Sequence, residues 1–94
     1  MMCSIELAQI NTLVGDIEGN AQLVIDATKQ SEADVIVFPE LTLTGYPPED
    51  LLLRPECHER VRAALQTLCN VRYPGTLIVG APTLEHDALY NSAI

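Results

Sequence analysis

Apolar positions along this chain change their period several times, and each change marks an element. Ser4 to Ile10 alternates polar Ser4 and Glu6 with apolar Ile5 and Leu7, then continues Ala8-Gln9-Ile10, which predicts a strand that becomes buried towards its end. Thr12 to Gly19 holds Gly15, Asp16 and Gly19 and predicts a loop. Asn20 has the chemistry of a helix cap, and Ala21, Val24, Ile25 and Thr28 recur at i, i+3, i+4 and i+7, predicting a helix that ends near Ser31. Val35-Ile36-Val37-Phe38, bounded by Asp34 and Pro39, is the continuous β-branched and aromatic run of a central strand buried on both faces.

Beyond that run Gly45 permits a tight turn, and Pro47 and Pro48 fix φ, with Pro48 placed to open a short helix over Glu49 to Leu53. From Glu56 to Asn70, apolar Cys57, Val61, Ala64, Leu65, Leu68 and Cys69 follow helical spacing, with Glu59, Arg60, Arg62 and Gln66 mostly opposite. Tyr73, Pro74 and Gly75 break that pattern. Thr76 to Val79 predicts a third buried strand ending at Gly80, and Ala88 to Ile94 begins a fourth after an acidic turn at Glu85, His86 and Asp87. The order implies a layered α/β fold whose first three strands lie parallel through crossover helices. The last strand runs into Ile94 without turn, cap or polar tail, so the expectation is a domain of which residues 1–94 are the N-terminal part, incomplete at the C-terminus.

Composition narrows the classes of function. Ninety-four residues at 48% apolar content fit one globular unit, and are too apolar for intrinsic disorder. Five Lys and Arg against thirteen Asp and Glu give a net charge of -8, which repels nucleic acid and anionic membranes. Glu6 and Gln9 interrupt the only stretch that could resemble a signal peptide, and no apolar run approaches bilayer length, so a cytoplasmic protein is expected. Cys3, Cys57 and Cys69 are odd in number and lack C-x-x-C spacing, which indicates neither a disulfide framework nor a zinc site. Cys57 and Cys69 share the apolar stripe of one helix and are expected to be buried, inert thiols. His58 and His86 are too far apart to argue for a metal, and Glu49 and Asp50 read as negative charge at a helix start. Gly15 to Gly19 lacks the spacing of a phosphate loop. No metal or cofactor site is expected in the chain.

The residue with candidate chemistry is Glu40. In an open α/β sheet ligands bind at the carboxyl ends of parallel strands, and Glu40 lies just beyond Phe38 at such an end. An acid following an apolar strand and a proline is expected to be partly desolvated, which moves a carboxylate towards service as a proton acceptor. Taken alone, it reads more readily as a solvated or N-capping carboxylate at a strand end.

The surrounding residues add what spacing cannot. Val37-Phe38-Pro39-Glu40 resembles the nitrilase, or carbon–nitrogen hydrolase, superfamily. Its continuation Leu43-Thr44-Gly45-Tyr46-Pro47-Pro48-Glu49-Asp50-Leu51-Leu52 is similar to the N-terminal amidase domains of glutamine-dependent NAD synthetases. Ala8-Gln9-Ile10-Asn11, the run Val14 to Asn20, Val79-Gly80-Ala81-Pro82 and Leu89-Tyr90-Asn91-Ser92-Ala93 agree with it. The resemblance implies a partial α-β-β-α sandwich and hydrolysis of glutamine to glutamate and ammonia by a cysteine, a lysine and a glutamate. Glu40 matches the glutamate, the general base; Tyr46 would help shape the glutamine pocket. The lysine and the cysteine would lie beyond Ile94, Lys29 being in the wrong place for the former, so the chain alone is expected to be inactive. ATP and magnesium would belong to a separate synthetase domain, and the complete protein would form a homo-oligomer. Two alternatives stay open: another nitrilase-branch amidase, and a non-catalytic α/β module that binds a partner through its acidic surface.

Overall fold

The structure is a computed structural model that describes residues 3–48, 53–71, 73–85 and 88–93. Strand β1 (Ile5–Leu7) leads to helix α1 (Ile17–Lys29), strand β2 (Val35–Val37), helix α2 (Pro55–Cys69) and strand β3 (Thr76–Ile78). These are followed by β4 (Gly80–Glu85) and β5 (Ala88–Ala93). The first three strands form a parallel sheet in the order β1-β2-β3, as the alternation of strand and helix patterns predicts. The segment assigned above to a helix over Glu49–Leu53 lies largely outside the described residues, as does His86.

Both helices pack on one face of this sheet. Ile17, Ala21 and Val24 of α1 and Cys57, Val61, Ala64 and Leu68 of α2 join Ile36, Phe38 and Val79 in a single buried cluster. Register explains the choice of face, because Glu6, Ile36 and Leu77 are aligned across the three strands and successive side chains alternate between faces. The opposite face carries Ile5, Val35 and Thr76 in one row and Leu7, Val37 and Ile78 in the next. There Ile5 is 64% exposed and Leu7 74% exposed, while Val35 and Val37 are half-buried. The expectation of a β2 buried on both faces is therefore corrected: only the face of Ile36 and Phe38 is closed. Strand β1 is exposed throughout, and burial begins after it, where Ala8 and Ile10 pack against the core.

Three further expectations change. The cap of α1 is Asp16, whose carboxylate accepts the Gly19 amide at 3.1 Å, and Asn20 lies inside the helix with another task. Cys69 is exposed in the last turn of α2, whereas Cys57 is buried as expected. The chain does not stop pairing at Gly80: β4 runs antiparallel to β5 from Gly80 opposite Ala93 to Glu85 opposite Ala88. Gly80 and Pro82 weaken the strand pattern locally, which conceals β4 in the sequence; Pro82 is tolerated because, among the described residues, β4 pairs with a strand on one side only. Among the described residues no helix is long and apolar enough to cross a membrane.

Candidate active site

Strand β2 carries the sheet to the place where Glu40 leaves it. Its ladder continues past Val37, since the Ala8 amide donates to the Val37 carbonyl and the Phe38 amide to the Ile78 carbonyl, each at 2.9 Å. Pro39 has no N–H to continue the ladder, and the chain turns out of the sheet at Glu40. Glu40 is exposed at this rim, which corrects the expected partial desolvation.

The backbone beneath Glu40 is held firmly. Leu41 adopts φ 48°, a left-handed conformation that is costly for a branched residue and persists only where its surroundings fix it. The Thr42 hydroxyl donates to the Pro39 carbonyl. The Gly45 amide and the Thr44 hydroxyl both donate to the Leu41 carbonyl, at 2.9 and 3.3 Å. From the ribbon, the Gly80 carbonyl accepts the Leu43 amide at 3.3 Å. Leu41, Thr42, Leu43 and Thr44 are all buried, so a rigid platform presents an exposed acid.

A second loop locks against the first. Asn20, 1% exposed, accepts the Leu13 amide at 2.8 Å and donates at 2.9 Å to both the Leu13 and the Leu43 carbonyls. The Gly15 amide donates to the Thr44 carbonyl at 2.9 Å. Gly45, at φ 81°, comes so close to Val14 that a Cβ would sit 2.7 Å from the Val14 Cα. Tyr46 follows with a cis bond to Pro47, and its side chain is 65% exposed on the same loop as Glu40. The structure thus brings the two singled-out residues onto one platform. Sequence reading missed Asn20 and Gly80 as parts of it. The available signal for Asn20 was a polar residue on the stripe of Ile17, Ala21 and Val24, which in a helix face marks a buried hydrogen-bonding group.

Three concavities lined by described residues lie away from Glu40 and Tyr46. One, lined by Lys29, Asp34, Tyr73 and Gly75 among others, sits at the opposite, amino ends of β2 and β3. A second lies between the helices around Arg60 and Ala64, and an apolar one around Leu65, Leu77 and Val79. Among the described residues no group of three or more His, Cys, Asp or Glu side chains is arranged to hold a metal.

A carboxylate displayed on a rigid turn at the carboxyl ends of parallel strands is suited to accept a proton from a group brought to that rim. The carbon-nitrogen hydrolase family matches residues 5–94, the entire described fold. This chain belongs to that family. It is 39% identical to a glutamine-dependent NAD(+) synthetase of Synechocystis over 99% of its own length and 19% of the relative's. It is 43% identical to a synthetase of the same description from Thermotoga maritima, over 95% of this chain and 16% of that one. The chain thus spans under a fifth of the length of these curated relatives. A solved glutamine-dependent NAD+ synthetase from Acinetobacter baumannii, in complex with ADP, superposes with a TM-score of 0.91 at 38% identity, over 97% of this chain and 18% of that one. A mutant of a Nesterenkonia amidase described as from the nitrilase superfamily also superposes, at TM-score 0.69 and 25% identity, over 85% of this chain and 32% of that one.

Proposed function

We propose that this chain is the opening portion of a glutaminase domain that supplies ammonia for ATP-dependent synthesis of NAD from its deamido precursor. The observation that carries the reading is Glu40, held at the carboxyl end of β2 on a turn whose backbone is fixed by the Thr42, Thr44, Gly45 and Gly80 hydrogen bonds. The similarity to relatives described as glutamine-dependent NAD(+) synthetases supports it. In this reading Glu40 is the general base. It takes the proton from a cysteine thiol supplied by another part of the polypeptide, the sulfur attacks the side-chain amide carbon of glutamine, and the carboxylic acid returns the proton to the departing nitrogen. A lysine, likewise from elsewhere, stabilises the oxyanion. Tyr46, exposed on the same loop, borders the glutamine pocket.

In this reading ATP and magnesium act in a separate synthetase domain. The 94-residue chain alone is inactive in this reading, and the complete protein is a cytoplasmic homo-oligomer. A second reading, a carbon-nitrogen hydrolase that cleaves another amide, rests on the match to the Nesterenkonia amidase. The test is Glu40→Gln in the full-length protein. Glutamine-driven turnover should fall by ~10²–10⁴-fold, the usual worth of a positioned general base, while synthesis driven by added ammonia persists. Unchanged glutamine turnover removes the assignment; turnover of other amides with none of glutamine selects the second reading.

A further inference from the structure

The platform beneath Glu40 depends on a close approach from a distant part of the chain. Gly80, the first residue of β4, is buried against the turn so tightly that a Cβ built on it would lie 2.5 Å from the Leu41 nitrogen, 2.8 Å from the Pro39 oxygen and 3.1 Å from the Glu40 carbonyl carbon. All three contacts are backbone, which cannot swing aside as the end of a flexible side chain would. Glycine in a strand normally costs stability, so its presence here is explained by the contact it permits. The turn has little slack to absorb an intrusion, because Leu41 is already left-handed and the Thr42 hydroxyl ties its start to the Pro39 carbonyl.

We propose that Gly80 and Thr42 are positioning residues that together set where the Glu40 carboxylate stands, Gly80 by giving way to the turn and Thr42 by closing it. The inference rests on the reading of Glu40 as general base. Displacing that carboxylate by a fraction of an ångström alters the proton transfer while leaving the remaining contacts to glutamine in place. The effect therefore falls on kcat more than on KM.

The experiment is a mutant cycle in the full-length protein with glutamine-driven and ammonia-driven synthesis measured side by side. Gly80→Ala should lower the glutamine-driven kcat by ~10–100-fold, the scale expected when a reacting group is misplaced by up to an ångström, with KM little changed and ammonia-driven synthesis intact. Thr42→Val, which keeps the shape and removes the hydroxyl, should produce a smaller loss of the same kind. Placed on the residual rate of Glu40→Gln, either change should cost nothing further. Gly75→Ala is the control, because its Cβ would meet the Asp34 backbone oxygen at 2.4 Å and a Tyr73 ring carbon at 2.7 Å, a close approach at the far end of the sheet. It should lower thermal stability without the kcat loss. Should Gly80→Ala fail to fold, the Thr42→Val cycle decides. A wild-type kcat in the folded variants, or an equal loss with and without the Glu40 carboxylate, overturns the positioning role and leaves Glu40 standing. A Glu40→Gln protein with normal turnover removes both.

Discussion

Replacing Asn20 by alanine should loosen the platform beneath Glu40, and its size can be worked from the bonds the side chain makes. Three hydrogen bonds are lost: one to the buried Leu43 carbonyl and two to the partly buried backbone of Leu13. A buried carbonyl left without its donor costs ~1–3 kcal/mol, and the two at Leu13, which water reaches, cost about 0.5 kcal/mol each. Alanine is the better helix former by about 0.5 kcal/mol, so the net destabilisation is ~2 kcal/mol. Asn20→Asp is the sharper test. It keeps the bond from the Leu13 amide, but turns two donor contacts into oxygen facing oxygen and adds a charge at a site 1% exposed. It should therefore destabilise at least as much as alanine at pH 7, and less in acid, where the carboxyl regains one O–H donor. Hydrogen exchange is the suitable assay, because the Gly15 and Gly45 amides, which donate to the Thr44 and Leu41 carbonyls, report the platform directly. Their protection should fall by ~10–50-fold in Asn20→Ala, while that of the α2 amides changes far less. Protection unchanged in both variants would show that the two loops are held by packing, and that the Asn20 bonds exchange for water at no cost.

Two other outcomes follow from the packing of the helices. Arg60 grips Glu18 through two hydrogen bonds, at 2.6 and 3.0 Å, and also donates to the Gly15 carbonyl at 3.0 Å. The hydrogen bond from Arg60 holds the Glu18 carboxyl below its ordinary value of 4.5, so the pair stabilises the fold above that pH and ceases to as pH falls through the lower, folded-state value. With side chains 44% and 66% exposed, the pair contributes less than about 1 kcal/mol; Arg60→Ala should lower the thermal midpoint slightly at pH 7, and a gap that never narrows as the pH is lowered step by step below 4.5 contradicts the linkage. Burial pushes the Cys57 thiol up, keeping it neutral and unreactive, whereas Cys3 and Cys69 are exposed. In the folded 94-residue polypeptide a thiol reagent should label Cys3 and Cys69 at once and Cys57 only on unfolding; labelling of Cys57 as fast as Cys69 refutes the packing of α2.

The sequence by itself determined what is periodic and what is local. Helical spacing located α1 and α2, β-branched runs located β2 and β3, and the alternation of the two pointed to the parallel sheet that the fold has. The segment Phe38-Pro39-Glu40, followed by Gly45-Tyr46-Pro47, carried the resemblance that the family match now shows. Only the tertiary structure decided which sheet face is closed, since Ile5 and Leu7 are as apolar as Ile36 and differ from it solely in what packs above them. It also decided that Asn20 ties two loops together rather than capping its helix, that Glu40 is exposed, and that Leu41 is left-handed. The platform is built by contacts between residues far apart in the chain, Asn20 with Leu43 and Gly80 with Leu41, and no local propensity encodes them. A missing Cβ matters only when another backbone arrives to occupy its place, and that arrival is a property of the folded chain.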